Sequence, residues 1–227
     1  MGELIQTVLF DLDGTLADTA PDLAFALNEV RRRHGLDAMP FENIRPVVSH
    51  GGVALIRLGF AMEPEHPRFE PLRQELLDIY LDNIAVNTTL FNGMDMVLDT
   101  LEAEGKQWGV VTNKPGWLTE PLMRELGLTH RAAAIVSGDT LPQRKPHPAP
   151  IIHACEQIGC EIAQCLYVGD AERDVEAGHA AGMKTMVALF GYIGQTDQPQ
   201  QWGADSLVET PADILNWLTE YNQLKTA

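Results

Sequence analysis

The strongest constraint on the fold lies near the amino terminus, where the apolar run Val8-Leu9-Phe10 meets Asp11-Leu12-Asp13-Gly14. The apolar run reads as a buried strand. The two acids then fall at its carboxyl end, the edge where α/β sheets place their ligands. Side chains alternate along extended chain, so Asp11 and Asp13 point the same way if the strand geometry persists. Two carboxylates held close together are costly without a positive charge between them. A hard divalent cation with oxygen ligands, magnesium above all, meets that need. The simpler reading is a plain Asp-Gly turn after a strand, and the remainder of the chain decides between the two.

After Leu16 the strand–helix rhythm breaks off, and from Pro21 to about Val86 the pattern is helical. Pro21 suits a first helical turn. Leu23, Ala26, Leu27 and Val30 fall at helical spacing, and Gly35 stops the helix. Further helices are expected over 41–48, 53–60 and 69–84, with Pro64 and Pro67 between the last two. Arg31-Arg32-Arg33 reads as a solvated helix end, favourable beside the negative pole of the helix dipole. Ser49-His50-Gly51-Gly52 lies between two of these helices. It forms either a plain turn or a place where backbone amides approach a ligand.

From Phe91 onward strands and helices alternate. Strands are expected over 108–111, 132–136, 166–168, 184–189 and 206–208. Helices are expected over 93–104, 116–126 and 149–158, up to 181 after the turn that ends strand 166–168, and over 213–221. That order implies right-handed crossovers and a parallel sheet covered on both faces. The expected architecture is an α/β, Rossmann-like core formed by 1–17 and 88–227, with an all-helical cap, 18–87, inserted after the first strand.

The 227 residues carry a net charge of −16, which argues against a nucleic-acid or anionic-membrane surface, since either would need a basic patch. An anionic substrate remains compatible, because exposed charge is screened over about 8 Å. No run approaches the roughly 20 apolar residues that span a bilayer. Met1 to Ile5 lacks the basic and apolar regions of a signal peptide. A cytoplasmic protein is therefore expected. Its three cysteines, Cys155, Cys160 and Cys165, are spaced more widely than metal-binding pairs and read as reduced, partly buried thiols.

Three later strand ends join Asp11 and Asp13. Thr112 offers a hydroxyl and Asn113 an amide near a helix start, where anions are favoured. Lys145 offers a point charge, and Asp170 and Asp174 more carboxylates at a second Gly-Asp turn. Singly, each has a structural reading: helix caps for Thr112 and Asn113, a cap with its first-turn partner for Asp170 and Asp174, and a surface lysine for Lys145. Together they make a consistent phosphoryl-transfer site.

At this point the chain resembles the haloacid dehalogenase superfamily of phosphatases. The motifs stand as Asp11-Leu12-Asp13-Gly14-Thr15, Val111-Thr112-Asn113, Lys145-Pro146, and Gly169-Asp170 with Asp174. The resemblance implies Asp11 as nucleophile, forming an aspartyl-phosphate, and Asp13 as general acid and then base. It implies magnesium on the Asp11 carboxylate, the Asp13 main-chain carbonyl and Asp170, with Asp174 as ligand or support. Thr112, the Asn113 backbone and Lys145 would hold phosphoryl oxygens. One departure is Ala171, where such enzymes often carry a hydroxyl or an acid.

Val111-Thr112-Asn113-Lys114-Pro115 and Asp18-Thr19-Ala20-Pro21-Asp22 resemble the phosphoglycolate phosphatase-like branch. The stretch from Arg45 to Gly52, with Gly191-Tyr192-Ile193 and Trp202-Gly203-Ala204-Asp205, is more similar to the branch acting on N-acetylmuramic acid 6-phosphate in cell-wall recycling. Both substrates are phosphomonoesters that carry a carboxylate. Arg45, Ser49, His50 and the Gly51 backbone are therefore the expected cap-side contacts. Tyr192 and Trp202 are expected to pack a loop, and His147 to face solvent or cap a helix. A small molecule is the only partner implied, and monomer and homodimer are equally compatible with the sequence. A sugar-phosphate mutase of the same superfamily is the nearest alternative. A receiver-type signalling domain is more distant, because it needs no inserted cap of about 70 residues.

Overall fold

The computed structural model describes residues 4–226; the leader reading that rests on Met1, Gly2 and Glu3 lies outside them. Six parallel strands form one sheet in the order β5-β4-β1-β6-β7-β8. They are β1 (Thr7–Phe10), β4 (Gln107–Val111), β5 (Ile135–Val136), β6 (Cys165–Gly169), β7 (Lys184–Ala188) and β8 (Ser206–Val208). β1 pairs with β4 on one side and β6 on the other. Alternation along this central strand feeds two cores. Val8 and Phe10 enter the larger apolar cluster, and Leu9 enters a smaller one with Val111, Tyr167 and Ile151. A strand buried on both faces has to read as a continuous apolar run, as this one does.

The helices α5 (Met94–Ala103), α6 (Gly116–Glu125), α7 (Ala149–Ile158), α8 (Glu172–Ala181) and α9 (Ala212–Thr226) accompany the sheet. Between β1 and β4 a second, two-stranded antiparallel sheet forms from β2 (Ala17–Asp18) and β3 (Thr89–Leu90). It brackets the helical segment of α1 (Ala20–Arg33), α2 (Phe41–Ile44), α3 (Gly51–Phe60) and α4 (Phe69–Asp82). Leu27, Val30, Leu55, Ile56, Leu72, Leu76 and Tyr80 are buried where these helices meet.

The structure adjusts several expected boundaries. The helix expected over 41–48 stops at Ile44 and continues as a 3₁₀ segment, Arg45–His50. Pro46 has no N–H to continue the α ladder and clashes with the preceding turn. α3 begins two residues earlier than expected, at Gly51. The strand expected over 132–136 is paired only at Ile135 and Val136. The last helix runs on to Thr226. The pair β2 and β3, too short to carry a periodicity, was not expected from the sequence. No helix among the described residues is long and apolar enough to cross a membrane.

Candidate active site

The carboxyl ends of β1, β4 and β6 bring Asp11, Thr112 and Asp170 to one edge of the sheet. Asp170 and Asp174 follow β6 in sequence, and Lys145 enters from the loop before α7. Asp11, Asp170, Asp174 and Lys145 are each no more than 2 % exposed. Carboxylate oxygens of the three aspartates lie within 4.8 Å of one another. Lys145 Nζ lies 3.0 Å from Asp11 Oδ1 and 2.8 Å from Asp174 Oδ1, and it donates to the Tyr167 hydroxyl at 2.7 Å. Asn113 holds the lysine's main chain from both sides: its amide donates to Lys145 O at 2.9 Å, and its oxygen accepts from Lys145 N at 3.0 Å. Thr112 Oγ1 accepts from Lys114 N at 3.2 Å, so its own proton is free for another acceptor.

Electrostatics divide the three buried acids. Burial opposes ionisation of Asp11, but the adjacent Lys145 ammonium, the Arg173 guanidinium and the Leu12 amide hold its carboxyl below the usual range. Burial, with the neighbouring Asp11 and Asp174 carboxylates, pushes Asp170 up to about 7. Burial also raises Asp174. One oxygen of Asp170 is satisfied by the Ser49 hydroxyl at 2.7 Å and the Tyr192 amide at 2.9 Å. The other, Oδ1, is buried without a hydrogen-bond partner. An all-oxygen set with mutual repulsion and one orphaned oxygen fits a hard divalent cation.

The turn after β1 is shaped for this packing. Gly14 has φ +86°, and a Cβ there would lie 2.1 Å from Asp170 Oδ2. Any side chain at position 14 would displace that carboxylate. Asp13 is not one of the three clustered aspartates: its Oδ1 accepts from Thr19 Oγ1 at 2.6 Å and from Lys114 Nζ at 2.8 Å. Lys114 also donates to the Tyr80 hydroxyl of α4 at 3.0 Å. Burial works against its charge, yet Asp13 and Tyr80 keep it protonated.

The helical segment touches the same edge. Ser49 reaches Asp170. Arg45 donates to the carbonyls of Gly191 and Phe190 at 2.9 and 3.3 Å and lies over the Tyr192 ring. The expected cap-side arginine is thus engaged with main chain of the loop after β7. The guanidinium that faces the acids is Arg173, with Nη2 3.9 Å from Asp11 Oδ2 and 2.8 Å from the Ser49 carbonyl. Its Nε is buried and unpartnered. Ser49, His50, Arg173, Tyr192, Asp197 and Trp202 line a cavity of about 250 Å³ beside Asp170. Tyr192 packs its loop as expected, its hydroxyl donating to Asp18 and accepting from the Ala20 amide. His147 is exposed and accepts from the Ala149 amide at the start of α7.

The structure thus brings Asp11, Thr112, Asn113, Lys145, Asp170 and Asp174 together, with Asp13 adjacent and Ser49, His50 and Gly51 on the facing segment. Sequence reasoning missed Arg173 and Lys114 as members of the site. Arg173 stands between two named acids in Asp170-Ala171-Glu172-Arg173-Asp174, a helix-start position that looks solvated. Lys114 lies 101 positions from its partner Asp13.

A parallel sheet presenting carboxylates, a hydroxyl and a lysine at one edge beneath a helical segment is an α/β site suited to phosphoryl chemistry. The model of the haloacid dehalogenase-like hydrolases matches residues 8–188. The N-acetylmuramic acid 6-phosphate phosphatase of Pseudomonas aeruginosa is 41% identical over 94% of this chain and 95% of its own length. The phosphoglycolate phosphatase of Xanthomonas campestris is 43% identical over 92% and 94%. A crystal structure of a predicted phosphoglycolate phosphatase from Haemophilus somnus superposes with a TM-score of 0.83 at 28% identity, covering 94% of this chain and 97% of that one. The chain belongs to the haloacid dehalogenase-like hydrolases. Within them it is a phosphoric monoester hydrolase, similar both to phosphoglycolate phosphatases and to N-acetylmuramic acid 6-phosphate phosphatases.

Proposed function

We propose that the chain is a magnesium-dependent phosphatase of the cytoplasm that cleaves a small, carboxylate-bearing phosphomonoester through an aspartyl-phosphate on Asp11. The observation that carries this reading is the buried Asp11 carboxylate. Lys145 and Arg173 hold it charged beside the orphaned Asp170 oxygen. Asp11, the Asp13 main-chain carbonyl and Asp170 would hold the cation, with Asp174 as ligand or support. The bound ion would supply positive charge against the carboxylates and the phosphoryl oxygens.

In the first step an Asp11 oxygen bonds to phosphorus and the ester P–O bond breaks. Asp13 gives the departing oxygen its proton. In the second step Asp13 takes a proton from water as that water attacks phosphorus, releasing phosphate and restoring Asp11. Thr112 and Lys145 bond the phosphoryl oxygens, joined by the Asn113 backbone, as charge redistributes. Asn113's side chain contributes by fixing the main chain of Lys145. Lys114 and Thr19 hold the Asp13 carboxylate in place.

Segment 18–87 acts as a lid that keeps bulk water from the intermediate. Ser49, His50 and the Gly51 backbone face the leaving group. Arg173 is the guanidinium best placed for a substrate carboxylate, since Arg45 reaches it only by giving up the two carbonyls it holds. Neither nucleic acid nor membrane enters this reading.

Phosphate release is measured from 2-phosphoglycolate, N-acetylmuramic acid 6-phosphate and glucose 1-phosphate, with and without chelator. The expected result is chelator-sensitive turnover favouring one of the two acidic esters over glucose 1-phosphate by about tenfold or more. Metal-independent turnover, or preference for glucose 1-phosphate, would contradict the proposal.

A further inference from the structure

The three cysteines of the chain converge at the opposite edge of the sheet from the phosphate chemistry. α7 carries Cys155 in its last turn and ends at Gly159, whose φ of +76° turns the chain back. The Gly159 and Cys160 amides both donate to the Cys155 carbonyl, at 2.8 and 3.1 Å. That turn lays Cys160 over Cys155. A 3₁₀ segment, Ile162–Gln164, then leads to Cys165, the first residue of β6 and the pairing partner of Thr7. Four strand steps of about 3.3 Å separate Cys165 from Gly169, so the thiols stand on the order of 13 Å from the catalytic edge.

Cys165 Sγ lies 3.9 Å from Cys155 Sγ and 3.4 Å from Cys160 Sγ, and all three sulfurs fall within 4.8 Å of one another. All three thiols are free. A cation about 2.3 Å from each sulfur, the usual metal–thiolate distance, holds three coplanar sulfurs about 4.0 Å apart. Changes of under about 1 Å in each sulfur–sulfur distance convert the observed triangle into that one. Cys155 and Cys165 are buried, while Cys160 is half-buried and offers an entry path. Ile151, Ile158, Ile162 and Met183 pack around the cluster and limit the access of solvent to it.

We propose that Cys155, Cys160 and Cys165 form a three-coordinate thiolate site for a soft d¹⁰ cation, with Cu(I) the fitting ion. Among the described residues no histidine or carboxylate joins the cluster. Soft thiolates suit both Cu(I) and zinc, but structural zinc takes four protein ligands, and the cluster offers three. Binding displaces thiol protons to solvent as sulfur–metal bonds form, and no redox change occurs. The site is independent of the phosphatase reading.

The test uses reduced full-length protein, after a thiol titration in denaturant has confirmed three free thiols. Cu(I) is offered as its bicinchoninate complex. Withdrawal of one Cu(I) per chain, with a sulfur-to-copper absorption in the near ultraviolet, is expected. Cys160→Ser, a change at a half-buried position, should weaken that withdrawal at least tenfold while leaving phosphate release unaltered. No withdrawal by the wild-type protein, or equal withdrawal by Cys160→Ser, would overturn the assignment. So would one Zn(II) per chain taken up without copper, or a cysteine pair that re-forms a disulfide after reduction and takes up no metal.

Discussion

Asp11 and Asp13 are two positions apart yet occupy different electrostatic worlds. Asp11 faces Lys145 and Arg173 in a buried cluster, whereas Asp13 bonds Lys114 and Thr19. This separation suits one acid to bond formation and the other to proton transfer. Asp13→Asn should therefore lower kcat by about 10²- to 10⁴-fold with little change in KM, measured by steady-state phosphate release. Arg173→Ala should lower kcat/KM for a carboxylate-bearing ester by roughly 10- to 100-fold, the worth of a charge-assisted hydrogen bond. Its effect on p-nitrophenyl phosphate, which lacks the carboxylate, should be several-fold smaller, and equal losses on both would remove Arg173 from substrate recognition. The strand-end residues were legible in the sequence because each brings a distinct chemical type at the end of an apolar run. Arg173 and Lys114 were not, because their meaning lies in contacts with Ser49, Tyr80 and Asp13 that no local pattern encodes.

At the scale of elements, Asp22 in the first turn of α1 marks the passage from the sheet to the helical segment. Its fully buried carboxylate accepts from the Asn87 and Thr88 amides, the Asn87 side chain and the Thr88 hydroxyl, all at 2.8–3.0 Å. One residue thus ties the outgoing chain to the returning one beside the β2–β3 pair. Asp22→Ala leaves several buried donors unpaired. It should cost about 3 kcal/mol in a denaturant titration, and a loss under about 1 kcal/mol would show that the junction is held elsewhere. Long periodic helices such as α1, α4 and α7 were readable because burial imposes a 3.6-residue repeat on them. The break at Arg45-Pro46 was visible only as a proline, and β2 and β3 left no repeat to read. Their pairing follows from the chain having to leave and rejoin the sheet at one place.

Across the whole molecule, the fold gathers negative charge that it does not neutralise internally. Asp11, Asp170 and Asp174 share one buried space, and Lys145 and Arg173 offset them only in part. A cation bound there should stabilise the folded chain. Magnesium at a hundred times its dissociation constant adds about 2.7 kcal/mol, and each kcal/mol raises the Tm of a chain this size by about 2–4 °C. Differential scanning calorimetry should show that rise in the wild type and its loss in Asp170→Asn; a rise of equal size in both would place the ion elsewhere. The parallel sheet with an inserted helical segment was legible from the order of apolar runs. The convergence of three cysteines was not, because it depends on a glycine turn and a strand start meeting in space.

Phosphoryl transfer through Asp11 predicts a covalent intermediate on that residue. Quenching the enzyme in acid during turnover of an acidic phosphomonoester, and mapping phosphorylated peptides by mass spectrometry, locates it. One acid-stable, hydroxylamine-labile phosphoryl group on Asp11, absent together with turnover in Asp11→Asn, is the predicted result. A phosphoryl group on another residue, or undiminished turnover by Asp11→Asn, would contradict it.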